Sequence, residues 1–155
     1  MNDGEMLTRA LFTATLVYEN KINDFGDPHI LHSLAVASRC KSIKAKTIAF
    51  LRGSMEDSSL TVEKLKEIGF PKEITEAVDA LTRRPNEEYF SGFIMRIAVS
   101  GPLAIEVKLA DLAERMRPEL SAMESNSSVS RKESAARMLM AASLLSQSKH
   151  VPICK

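Results

Sequence analysis

The chain has 155 residues, 45% hydrophobic and 26% charged, with a formal net charge of +1. That length suits one domain around one core, and the near-neutral balance provides no global field for nucleic acid or an anionic membrane. Cys40 and Cys154 are the only cysteines; they lie far apart and fit no metal-ligand spacing, which favours a reduced, cytoplasmic setting.

The acidic start (Asp3, Glu5) and the short apolar stretch Ala10 to Val17 do not read as a signal peptide. No run approaches the length of a membrane span. Leu7, Ala10, Leu11, Ala14 and Val17 recur at helical spacing, predicting a first helix with these residues on its buried face. Asn23 to Pro28 breaks it, with Gly26 and Pro28 as punctuation. A second helix is expected from about Ile30 to Cys40. A third starts near Lys44 and carries Ile48, Ala49 and Leu51. Thr61 caps the next, Gly69-Phe70-Pro71 ends it, and Pro71 opens a fifth whose apolar face is Ile74, Ala77, Val78 and Leu81. Arg83 to Asn86 reads as a basic turn. Helices are then expected over 88–99, 102–115 and 130–147, with a Ser-rich link at Ser125 to Ser130. Met138, Leu139, Ala142 and Leu145 read as core, with a dimer seam as the alternative. The expected architecture is all-α: one bundle of about eight or nine helices over 1–155, with its core at about 5–147 and a tail at 148–155.

Several segments carry a more specific signal. They are Asp27-Pro28-His29-Ile30-Leu31-His32-Ser33-Leu34, then Leu51-Arg52-Gly53-Ser54-Met55-Glu56-Asp57, then Gly69-Phe70-Pro71, Leu81-Thr82-Arg83-Arg84 and Lys108-Leu109-Ala110-Asp111-Leu112. In order and spacing, from about Leu7 to Leu145, they resemble the HD-domain phosphohydrolases. The nearest branch is the hydrolase domain of the guanosine tetraphosphate (alarmone) enzymes and their small single-domain relatives. That resemblance implies a 3′-pyrophosphohydrolase with one manganese ion. His32 would be the first metal-binding histidine, Asp111 the last aspartate, and Glu56 and Asp57 the pair that places and deprotonates the attacking water. The His-Asp dyad between them falls on Arg52 and Gly53.

The substitution changes the chemistry the resemblance implies. A guanidinium has no lone pair for a metal and stays charged. Arg52 is therefore expected to repel a cation, to pair with Asp111, Glu56 or both, and to stand in for the metal as the positive charge of the cleft. Asp111 lies among Ile105, Val107, Leu109 and Leu112; a buried acid there needs a partner, and Arg52 and Lys108 are the candidates. The branch's guanine-reading Arg-Lys pair is replaced by Asn23-Asp24, its asparagine four residues after the last aspartate by Arg115, and the proline after its first histidine by Ser33. Arg83, Arg84, Arg96, Lys108 and Arg115 are candidate phosphate contacts, although a charged turn also serves as a solvated surface.

Three functional readings follow. The first is a degenerate HD-type protein with metal-dependent hydrolysis weakened or lost, its cleft kept for a nucleotide, another phosphorylated small molecule or a protein partner. The second is a phosphohydrolase with a manganese site rewired from His29, His32 and Asp111. The third is a scaffold that keeps only the fold. Against all three stand plainer roles: His32 as a core histidine, and Glu56 and Asp57 as a solvated helix end.

Overall fold

A computed structural model of the chain describes residues 1–23, 26–123 and 129–148. Most of the expected link at 125–130 lies outside these residues, as do Asp24, His150 and Cys154. Eight α-helices follow in order: α1 Asp3–Tyr18, α2 Ile30–Arg39, α3 Ile43–Glu56, α4 Val62–Ile68, α5 Lys72–Ala80, α6 Met95–Ser100, α7 Pro102–Met123 and α8 Val129–Ser148. A π-helical turn, Tyr89–Ile94, leads into α6. The described residues contain no sheet; Ile22 and Pro28 form one isolated antiparallel bridge across the turn between α1 and α2.

Local chemistry sets the boundaries. Asn2 and Glu5 form a capping box at the start of α1. Ser42 accepts from the Ala45 amide at the start of α3, and Thr61 from the Lys64 amide at the start of α4. Gly69, with φ +102°, closes α4 in the left-handed conformation that a Cβ disfavours. Pro71 is the cap residue of α5, one position earlier than expected.

The core is continuous across most elements and includes Ile48, Leu51, Leu65, Ile74, Leu81, Ile94, Ile97, Val107, Leu112 and Leu145. α1 packs along α3 through a seam whose residues are small except for Tyr18. Ala10, Ala14 and Tyr18 recur at four-residue spacing on α1, as do Ala45, Ala49 and Gly53 on α3, and all six are buried. The Gly53–Tyr18 approach shows that these two faces meet. With little other side-chain bulk between them, the helices bring their C-terminal ends, and the chemistry carried there, close together.

Three expectations are corrected. The fully buried residues of α1 are Met6, Ala10, Ala14 and Tyr18, and Leu7 and Val17 pack partly buried against the core as expected, but Leu11 is exposed. Residues 88–99 do not form one helix: Glu88 caps a π turn by accepting from the Ser91 amide, and regular helix starts at Met95. Helix α7 runs beyond 115, through Pro118 to Met123. Proline costs it one backbone donor; α7 packs against α8. On α8, Ala141 and Leu145 are fully buried and Met138 and Ala142 pack on the core, while Leu139 is half exposed.

Candidate functional site

Asp111 is the centre of the arrangement. It sits on the inward face of α7 with no exposed side-chain surface, and four side chains from three helices converge on its carboxylate. From α2, His32 Nε2 lies 2.9 Å from Oδ1. From α3, Arg52 Nη2 lies 3.3 Å from Oδ1. From α7 itself, Lys108 Nζ lies 3.2 Å from Oδ2 and Arg115 Nε donates to Oδ1 at 3.0 Å. The last two positions are three before and four after Asp111, so one helix face carries all three groups.

The electrostatics follow from this packing. Burial alone would push the Asp111 carboxyl up. The Arg52 guanidinium, the His32 hydrogen bond, Lys108 and Arg115 outweigh it and hold the carboxyl well below the usual carboxylate range. Arg52 is buried too, which acts against its charge, but Asp111 and Glu56 more than offset this and keep the guanidinium charged. Lys108 goes the other way: burial, with the Arg52 and Arg115 charges, lowers its pKa despite Asp111.

Around this centre the structure sorts the remaining candidates. Glu56 ends α3 and Asp57 caps it. Both lie close enough to Arg52 to stabilise its charge. Asp57 Oδ2 is 3.3 Å from His29 Nε2, and the Asp57 carbonyl accepts from Lys21 Nζ at 2.7 Å. His29 is thus engaged by Asp57, whereas His32 is engaged by Asp111. Gly53 faces the Tyr18 hydroxyl, which occupies the place of any side chain at 53. Burial of Tyr18 and the Asp57 charge raise its pKa, so the phenol stays protonated. Glu114, one turn beyond Asp111, is bound by Arg39 at 2.9 Å and Arg117 at 2.8 Å.

The arginines expected as phosphate contacts divide into two kinds. Arg96 is a structural tie: it binds both carboxylate oxygens of Glu87 at 2.8 and 2.9 Å and donates to the carbonyls of Asp79, Ala80 and Thr82 at the end of α5. Arg84 reaches Asp79 at 3.5 Å. Arg83 instead lies 5.5 Å from the centroid of the Tyr89 ring, and Arg137 of α8 lies 5.0 Å from the same centroid. Arg83 also donates from Nη2 to the Glu87 backbone carbonyl at 3.1 Å. The charges of Arg137, Arg115, Arg83 and Asp111 all bear on the Tyr89 phenol, which places this rim beside the Asp111 cluster. Lys108, bonded to Asp111, also lies 5.1 Å from the Phe93 ring centroid, and the Phe93 and Tyr89 ring centroids are 6.1 Å apart.

Tyr18, Tyr89 and Arg137 were not singled out by the sequence. Arg137 falls in an otherwise apolar stretch of α8, and an isolated cation there was the one available signal.

The donor set does not suit manganese. Both oxygens of Asp111 are taken by cations within 3.3 Å, and a dication would meet Arg52, Lys108 and Arg115 at once. Among the described residues no three His, Cys, Asp or Glu side chains are grouped to hold a metal ion. No helix of the described residues is long and apolar enough to cross a membrane. No family model matches the chain, and no curated protein matches it.

Proposed function

We propose that this chain is a degenerate HD-type protein whose cleft binds a phosphorylated small molecule, such as a nucleotide, without a metal and without hydrolysing it. The observation that carries this reading is the excess of positive charge. Arg52, Lys108 and Arg115 share the carboxylate of Asp111, with Glu56 and Asp57 as further acids near Arg52, and the guanidiniums of Arg83 and Arg137 lie against the Tyr89 ring. Guanidiniums are well matched to phosphate oxygens.

The residues divide the work. Arg52 and Lys108 are buried and act as a fixed positive base behind the site. Arg115 is about half exposed. It can turn from Asp111 to a phosphate, because Arg52, Lys108 and His32 still satisfy the carboxylate. Arg83 and Arg137 supply the outer charge, and the Tyr89 ring holds both in place. In this reading Arg52 does the electrostatic work that a metal does in the enzymes this sequence resembles.

The test is calorimetric titration of the chelator-treated protein with inorganic pyrophosphate and with a nucleoside diphosphate, and separately with manganese. Saturable anion binding that falls on combining Arg83→Ala with Arg137→Ala is the expected result. One-to-one manganese binding by the wild type, or anion binding indifferent to both arginines, overturns the proposal.

A further inference from the structure

Two large apolar side chains of α1 lie together on one exposed stripe; Leu11, also exposed, lies off it. Phe12 and Leu16 are 65% and 58% exposed on the side opposite Ala10 and Ala14. With Thr13, Val17 and Ile68 of α4 they line an open groove. Arg9 lies one turn before this pair on the stripe, and Glu19, the residue that caps the C-terminus of α1, follows it one turn after Leu16. Among the described residues neither Arg9 nor Glu19 has an ion-pair partner within the chain. The stripe thus runs cation, apolar, apolar, anion.

Such an order is complementary to itself in one orientation only. Arg9 and Glu19 are equally far from the level of Ala14, and so are Phe12 and Leu16. A two-fold axis at that level sets Arg9 against the partner's Glu19 and Phe12 against the partner's Leu16, twice over. Arg9 and Glu19 are roughly 15 Å apart along the helix, so both ion pairs form at the ends of a shared apolar centre. Parallel pairing would set Arg9 against Arg9 and Glu19 against Glu19, which like charge disfavours. The stripe carries no net charge, so it has no electrostatic reason to seek an anionic surface.

We infer that this face of α1 associates with a second copy of the chain, helix against helix, antiparallel. The contact is small and its core is two side chains from each protomer, so the dimer forms and dissociates with concentration. This inference stands independently of the phosphate-binding reading.

Sedimentation equilibrium of the full chain over a concentration series tests it. The wild type should show a monomer–dimer equilibrium. Phe12→Asp should weaken association roughly tenfold or more. Arg9→Glu and Glu19→Arg should each weaken it, and the two combined should restore affinity to within about twofold of the wild type, because the pairs re-form with reversed sign. Circular dichroism checks that each variant is folded; the charge reversals lie on the surface and carry the test if Phe12→Asp is not. A wild type that stays monomeric throughout, or a double reversal no better than either single change, overturns the inference.

Discussion

The hydroxyl of Tyr18 occupies the space that a Cβ atom at Gly53 would need. Gly53 lies inside α3, near its C-terminal end, where glycine is still disfavoured by about 1 kcal/mol relative to alanine, and the close approach of the Tyr18 hydroxyl is what a side chain there would meet. The Tyr18 ring carbon that bears the hydroxyl is 3.5 Å from the same Cβ position, an ordinary contact distance. Gly53→Ala alone should therefore destabilise the protein by about 1–3 kcal/mol through overpacking. In a Tyr18→Phe background the same change should be neutral or stabilising by up to about 1 kcal/mol. Urea denaturation of the four proteins of this cycle measures the coupling; purely additive effects would mean that the hydroxyl is not the obstacle.

Asp111 gives a prediction in pH. Its carboxyl titrates well below its unfolded value of about 3.9. The stabilisation it provides is present above that unfolded value and is lost as pH falls from there through the folded pKa. Asp111→Asn should cost about 3–5 kcal/mol at neutral pH, since it removes the carboxylate that Arg52, Lys108 and Arg115 share and leaves only Glu56 and Asp57 near Arg52. It should also flatten the acid limb of the stability curve relative to wild type. Adding Lys108→Met should recover part of the loss by removing one of the stranded charges. Denaturation midpoints of the three proteins at pH 7 and in acid decide the matter.

Arg96 should act on stability and not on anion binding. Its guanidinium satisfies three carbonyls at the end of α5 and both oxygens of Glu87, whose carboxyl it pulls down to about 2. Arg96→Met should cost on the order of 2 kcal/mol by leaving those acceptors unsatisfied. Pyrophosphate affinity measured well below the melting temperature should stay within about twofold of wild type. A selective loss of affinity with stability intact would reassign Arg96 to the binding rim.

The sequence disclosed the helices well because their punctuation is local: Thr61, Gly69 and Pro71 act within one turn of where they stand. It also located the partners of Asp111, since an acid amid Ile105, Val107 and Leu112 must meet a cation, and Arg52 and Lys108 were the cations in reach. The participation of Arg115 was less visible because a charged residue at a half-exposed position has a solvated alternative. The α1 face was misplaced at Leu11 because the seam against α3 runs through Ala10, Ala14 and Tyr18, and hydrophobicity does not say which residues meet another helix. The Tyr18–Gly53 and Tyr89–Arg137 contacts were illegible, being set by tertiary approach between residues 35 and 48 positions apart in the chain.

If Arg52 and Gly53 occupy the place of a metal-binding dyad, restoring that dyad needs more than two changes. Arg52→His with Gly53→Asp removes one cation from Asp111 and adds two donors, but the carboxylate at 53 then competes with the Tyr18 hydroxyl for the same space. The expected order of manganese affinity is therefore wild type lowest, the double variant intermediate and weakened by strain, and the triple variant with Tyr18→Phe highest. Each variant should be titrated calorimetrically after treatment with chelator, and the triple variant then assayed for manganese-dependent release of pyrophosphate from a guanosine polyphosphate. Equal affinity in the double and triple variants would show that Tyr18 yields easily. No binding in any of them would mean that Lys108 and Arg115 alone keep a dication away from Asp111, and Lys108→Met in the triple background is the variant that separates this from a cleft that never held a metal.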